Sequence, residues 1–94
     1  MDEKKTIDYS NLEEKLAELD ARAFQRAERD CRISADPTPD IIYSGNFRAR
    51  LAAEALGVEY SEIMSMGLQA YSTVINQVLV FLLGNLELEI RPKS

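Results

Sequence analysis

The sequence predicts an all-α protein, a small bundle of three to four helices with room for short β-strands at its two ends. Three observations lead there. Leu12, Leu16, Leu19, Ala23 and Ala27 recur at three- and four-residue spacing, the period of a helix with one buried face. The breaks between periodic stretches hold residues that stop helices, namely Pro37, Pro39, Gly57 and Gly67. Toward the end, Leu68, Tyr71, Ile75, Val78, Leu79 and Leu82 fall on one side of a 3.6-residue wheel.

The elements follow in order. Residues 1–9 are polar, with Ile7 and Tyr9 alternating around Asp8, so a tail or a short edge strand is expected. Ser10 and Glu13 have capping-box spacing. Helix is predicted over 11–33, with Asp20 placed to cap a second segment after a kink. Its outer face offers Glu18/Arg22, Arg26/Asp30 and Glu28/Arg32 as i,i+4 ion pairs. Ser34 to Asp40 breaks the helix, because each proline forces the residue before it to be extended. Ile41-Ile42-Tyr43 then docks the connection on the core. Ser44 or Asn46 caps a helix over 45–56 with Phe47, Leu51, Ala52 and Ala55 facing inward, and Gly57 sits at a left-handed C-cap. Ser61 caps a short helix over 61–66, and the last helix spans 68–84. The core is expected around that last helix, packed on Leu51, Leu56, Ile63 and Leu19. Leu86, Leu88 and Ile90 alternate with charged residues, a strand pattern that could pair between chains. The whole is one domain, 1–94, with 1–9 and 85–94 as flexible or short-strand termini.

Composition narrows function by exclusion. The chain has 94 residues, a net charge of −5, one cysteine and no histidine. A single cysteine forbids an internal disulfide and fits a reducing cytosol. Without histidine the common zinc sites and the usual general base are missing. No catalytic residue, metal or cofactor is therefore expected. The charged N-terminus lacks the apolar stretch of a signal peptide, and the run from Val78 to Leu83 is far too short to span a bilayer. A cytoplasmic protein without membrane or nucleic-acid partners is expected.

Several groups of residues are candidates for more than folding. Asp36 and Asp40 bracket a loop, but a calcium loop needs a closing carboxylate at its twelfth position. That position is Phe47 or Leu51, so a solvated turn is expected. Arg22, Arg26, Arg29 and Arg32 lie at helical spacing, with Arg48 and Arg50 further on. They read first as a charge-paired solvated face, and second as a docking face for an acidic protein. Tyr43, Tyr60 and Tyr71 are expected to be half-buried with hydroxyls at water, and Cys31 to be a small surface or boundary residue. The segment from Leu51 to Ile63 has the texture of a helix-turn-helix. Yet no lysine or arginine lies between Leu51 and Ile90, so its second helix has no cation for phosphate. Finally, Val80 and Phe81 fall off the main apolar face, beside Thr73 and Gln77. They are expected to touch another chain. The partner-binding candidates are thus Val80, Phe81 and Gln77, then Arg22, Arg26 and Arg29.

The order of motifs carries a resemblance. Leu16 to Arg29 reads Leu-x-x-Leu-Asp-x-Arg-x-Phe-x-x-Ala-Glu-Arg, and an Asp-Pro-Thr-Pro loop leads from Asp36 to an apolar-Tyr-Ser step at Ser44. Ala-Ala-x-Ala-x-Gly-Val follows at Ala52 to Val58, then Tyr-Ser-Glu-Ile at Tyr60 to Ile63, then Val-x-x-x-Val-x-x-Phe-Leu-Leu at Val74 to Leu83. Over about residues 7 to 84 this resembles the tail assembly chaperones of long-tailed bacteriophages and their prophages. The resemblance implies a small helical, non-enzymatic and oligomerising protein of the bacterial cytoplasm. It would bind the tape measure protein and keep it soluble while tail tube subunits assemble. Genes of this kind often make a longer product by frameshift, which would fall after Gly84. A second reading from another class is an acidic oligomerising regulatory module, antitoxin-like or transcription-associated, using the helix-turn-helix-like corner.

Overall fold

A computed structural model describes the backbone of residues 7–90 and the side chains of residues 7–84. Among the described residues the chain forms α1 (Leu12–Ala17), α2 (Ala21–Ile33), a 3-10 turn (Ile41–Tyr43), α3 (Gly45–Leu56), α4 (Tyr60–Met64) and α5 (Leu68–Ile90). The all-α expectation holds, with two helices in place of one continuous 11–33 stretch.

Asp20 makes that division. It is extended at φ −113° and ψ −175°, and its carboxylate accepts the backbone N–H of Arg22 at 3.0 Å. This is ordinary N-cap chemistry, which supplies an acceptor to an otherwise unpaired first-turn donor. The capping box expected at Ser10 and Glu13 does not form. Ser10 instead donates both its N–H and its hydroxyl to Asp8 Oδ1, at 3.0 and 2.8 Å, and α1 begins after Asn11 without a side-chain cap. The local Asp turn outcompetes the helix cap. At α4 the cap is Glu59 rather than Ser61, in a reciprocal box with Glu62.

Of the two candidates Ser44 and Asn46, Ser44 caps α3, accepting the Phe47 N–H at 3.2 Å. Gly57 ends it at φ +71°, and the paired bonds Gly57 N–H to Glu54 O and Val58 N–H to Ala53 O complete a Schellman ending. The end of α2 uses the same pair of bonds, Ala35 N–H to Arg32 O and Asp36 N–H to Cys31 O. There the left-handed position is Ala35, at φ +68°, where an L side chain is strained.

The core is centred on α3 and not on the last helix. α3 touches α1, α2, α4 and α5, and Phe47, Ala49, Leu51, Ala52 and Ala53 are all buried. The alanines allow close approach from several sides. Phe47 meets Phe24 of α2 with ring centroids 4.8 Å apart and tilted by 60°, a favoured aromatic geometry. Ile63 and Met66 close the α4 side, and Leu12 and Leu16 the α1 side.

On α5 the buried face differs from the expected one. Val74 and Val78 are fully buried, while Tyr71, Ile75, Leu79 and Leu82 are half-buried and Leu68 is 78% exposed. The buried face is rotated by somewhat less than one residue step. A helix that is apolar nearly all round gives little sequence signal for its facing, and contacts with α1 and α3 decide it.

The strand expected at Leu86, Leu88 and Ile90 is also corrected, because α5 continues through Gly84 to Ile90. Leucine and glutamate are among the best helix formers, and one interior glycine costs only about 1 kcal/mol. Ile7 and Tyr9 are half-buried against the core without forming a strand. Residues 1–6 and 91–94, also assigned to the termini, lie outside the described residues.

Candidate functional site

From Leu68 to Leu86 the chain carries no aspartate, glutamate, lysine or arginine. On this uncharged stretch of α5 the structure brings Gln77, Val80 and Phe81 together with Thr73 and Asn76. Glu13 of α1 closes the other side. These six residues line a groove of about 370 Å³. Val80 is 68% exposed. Phe81 is half-buried and serves two surfaces. It also lines a recess of about 180 Å³ with Leu16, Leu19, Phe24 and Leu51, so part of its ring belongs to the core. Thr73 donates its hydroxyl to Gln69 O at 2.9 Å, which satisfies the donor within the helix. Glu13 and Asn76 are members of the groove that sequence reasoning did not single out. Asn76 could have been found from its heptad spacing with Thr73 and Val80. Glu13 comes from another helix and left no local signal.

The arginine face is more heavily paired than the groove. Arg22 reaches Asp20 at 3.0 Å, Arg29 reaches Asp30 at 3.5 Å, and Arg32 reaches Glu28 at 3.9 Å. Arg26 crosses to Glu54 of α3, and that hydrogen-bonded carboxylate raises the guanidinium pKa. Of the three expected i,i+4 pairs only Glu28/Arg32 forms. Glu18 falls in the break before α2, and Arg26 prefers the neighbouring helix to Asp30. Arg32 also donates to the carbonyls of Asp36 and Thr38, at 2.9 and 2.8 Å. A second recess of about 290 Å³ includes Arg26, Asp30, Arg50, Glu54, Glu59 and Tyr60. It mixes both signs of charge, so it presents no single-sign field to an anion.

Arg48 and Arg50 serve the fold. Arg48 donates to the carbonyls of Tyr43, Ser44 and Ile75, tying α3 to α5 and to the 3-10 turn. Arg50 lies over the Tyr60 ring, 4.0 Å from its centroid. Tyr60 donates its hydroxyl to Asn46 Oδ1 at 2.6 Å, so that hydroxyl is used within the protein. Tyr43 is exposed, and Tyr71 is half-buried, with burial pushing its phenol pKa up.

The proline loop is organised by Asp36. Its carboxylate accepts the Ser44 hydroxyl at 2.5 Å, the Thr38 hydroxyl at 2.6 Å and the Thr38 N–H at 3.0 Å. These donors, Ser44 first, lower its pKa to about 2. Oδ1 therefore closes the loop on Thr38, and Oδ2 fastens it to Ser44, the cap of α3. Among the described residues, no group of three or more histidines, cysteines, aspartates or glutamates is placed to hold a metal. Cys31 is fully buried, contrary to the boundary position expected for it. Its neighbours Ala23 and Ala27 lie on the same inward face of α2, which the spacing of the alanines could have indicated. Burial pushes the thiol pKa up, opposed by nearby Arg50.

The helix-turn-helix-like corner is real as a corner. α3 turns at Gly57 into α4, but α4 has five residues, and Glu59 and Glu62 both serve its cap. No described helix is long and apolar enough to cross a membrane. Comparison with protein-family models, curated proteins and solved structures found no match.

Proposed function

We propose that the chain is a non-enzymatic assembly chaperone of the phage-tail type. It binds an apolar helical segment of a tape measure protein and holds it soluble while tail tube protein assembles in the bacterial cytoplasm. The observation that carries this reading is the groove along α5. Val80 and Phe81, apolar residues off the expected core face, line one open surface with Gln77, Thr73, Asn76 and Glu13. An apolar client helix laid there would bury Val80 and the open edge of Phe81. A full side chain of that size is worth about 1.5–3 kcal/mol. Beside Val80 and Phe81 the lining offers the amides of Asn76 and Gln77 and one charge, Glu13. The order of motifs from Leu16 to Leu83 supports the same reading.

The test is co-expression with a phage tape measure protein. The client should remain soluble and co-purify, and Val80→Asp should abolish both effects while the chain stays folded. Co-purification unchanged by Val80→Asp would remove the groove from the proposal.

The regulatory reading keeps one specific support, the α3–Gly57–α4 corner. It predicts a salt-sensitive shift of DNA mobility by the purified chain. With acidic residues framing α4, we expect none.

A further inference from the structure

We infer, resting on the client reading above, that the segment seated in the α5 groove carries an arginine beside its apolar residues and that Glu13 receives it. Glu13 lies in the first turn of α1, is exposed, and is the single charged residue on the groove lining. Among the described residues it has no ion-pair partner, whereas Asp20, Glu28, Asp30 and Glu54 each hold an arginine. Lys15 stands two positions on, and residues two apart on a helix do not face each other. No lysine or arginine lies between Leu51 and Ile90, so α5 has no cation for Glu13 across its described side chains. The occupant is the one to supply it.

The neighbours of Glu13 on the lining select arginine among cations. Asn76 and Gln77 are exposed, and each amide has an oxygen that accepts. Thr73 donates its hydrogen to Gln69 O at 2.9 Å, which leaves its hydroxyl oxygen as an acceptor. A guanidinium holds five donors in a fixed fork and can meet a carboxylate and an amide oxygen together, where an ammonium acts as a point charge. Phe81 adds an aromatic ring, and the faces of such rings attract cations.

Val80 and the open edge of Phe81 take the apolar side of the same helix. Arginine and apolar anchor therefore fall within about one helical turn of each other on the client. A wholly apolar helix would cover Glu13 without pairing it, which costs desolvation. An acidic helix would set like charges together. The groove thus distinguishes among helices of equal apolar area by one charge.

Fluorescent helical peptides of about twenty residues test this. They share one leucine and alanine face and differ at a single flanking position, as arginine, glutamine or glutamate. Fluorescence anisotropy with the full chain at low salt should rank arginine first and glutamate last, about five- to tenfold apart, since one ion pair is gained and one like-charge contact avoided. Glu13→Gln should shrink that gap to about twofold or less, and Glu13→Lys should reverse the order. Glu14→Lys makes the same change of charge in the same turn of α1 but outside the groove lining, and should keep the gap. Equal binding of the three peptides, binding of none, or a gap lost as fully in Glu14→Lys as in Glu13→Lys overturns the proposal. The client reading fails separately. Retention of a tape measure protein through Val80 without any preference for arginine removes only the role of Glu13, and a preference for arginine without such retention removes only that client.

Discussion

Helices α3 and α5 are both rich in apolar residues, yet they satisfy them differently. α3 buries Phe47, Leu51 and three alanines, with neighbours on several sides. α5 buries Val74 and Val78 completely but leaves Leu79, Phe81, Leu82 and Leu83 half-covered and Val80 exposed. Small side chains let α3 be surrounded, because four other helices can approach its backbone. The larger residues of α5 exceed what α1 and α3 can cover. One helix organises the fold, and the other carries surface that the fold does not use.

The contrast can be broken most forcefully at α3. Phe47→Ala should lose about 3–5 kcal/mol, the usual range for a buried phenylalanine. For a chain of this size each kcal/mol lowers the melting temperature by about 4–8 °C, so thermal unfolding should register a large fall or outright loss of folding. A modest shift would mean α3 is not the hub.

The facing of α5 is sharpened by a pair of truncations. Val74→Ala should cost about 1.5–2.5 kcal/mol through lost burial and the cavity left behind. Leu68→Ala, at an exposed position, should stay within about 0.5 kcal/mol. Denaturant midpoints would read both, and the reverse order would restore the face expected from the wheel. Ile75→Ala, at a half-buried position, should fall between them.

Smaller effects belong to the caps that fix where α3 begins and α2 ends. Ser44→Ala removes an N-cap acceptor and should cost about 0.5–2 kcal/mol. Ala35→Gly should raise stability by about 1 kcal/mol, since glycine carries no penalty at a left-handed position. Asp36→Asn tests the same cap through pH. The folded carboxylate titrates near 2, against an ordinary value of 3.8. Its contribution is therefore fully present above 3.8 and is lost as pH falls through about 2. The gap in melting temperature between parent and Asp36→Asn should be constant above that window and close within it. A gap that persists below pH 2 would assign the effect to shape instead of charge.

The smallest change is expected at Arg26→Ala. Its pair with Glu54 is solvent-exposed, and such pairs add little. A slight fall in melting temperature that vanishes in high salt would fit. A large salt-independent loss would give the arginine face a structural weight that its exposure does not suggest.

The same contrast explains how much could be read from the residues alone. The span of α3 and both its caps were legible, because Ser44 and Gly57 are local signals that nothing overrides. Ser10 and Ser61 were equally good local signals and failed, each displaced by a neighbouring carboxylate that offered the backbone a competing bond. The facing of α5 was not legible, since Val78 to Leu83 reads as apolar on every side. The strand at 86–90 misled because three alternations are too few to outweigh the helix preference of Leu and Glu. Val80 and Phe81 stand out in the sequence for lying off the expected face, with Gln77 beside them. The groove unites them, though Phe81 shares its ring with the core. Glu13 needed the tertiary structure, because nothing near it in sequence points to α5.

Cys31 gives this protein a clock of its own. It is the sole sulfhydryl, completely enclosed between α2 and its neighbours. An alkylating reagent can reach it only when α2 lifts from α3, so the rate of modification counts openings of that joint. Fast labelling against slow global unfolding would reveal a partial release of α2. Equal rates would mean that α2 and α3 part only when the whole molecule comes undone.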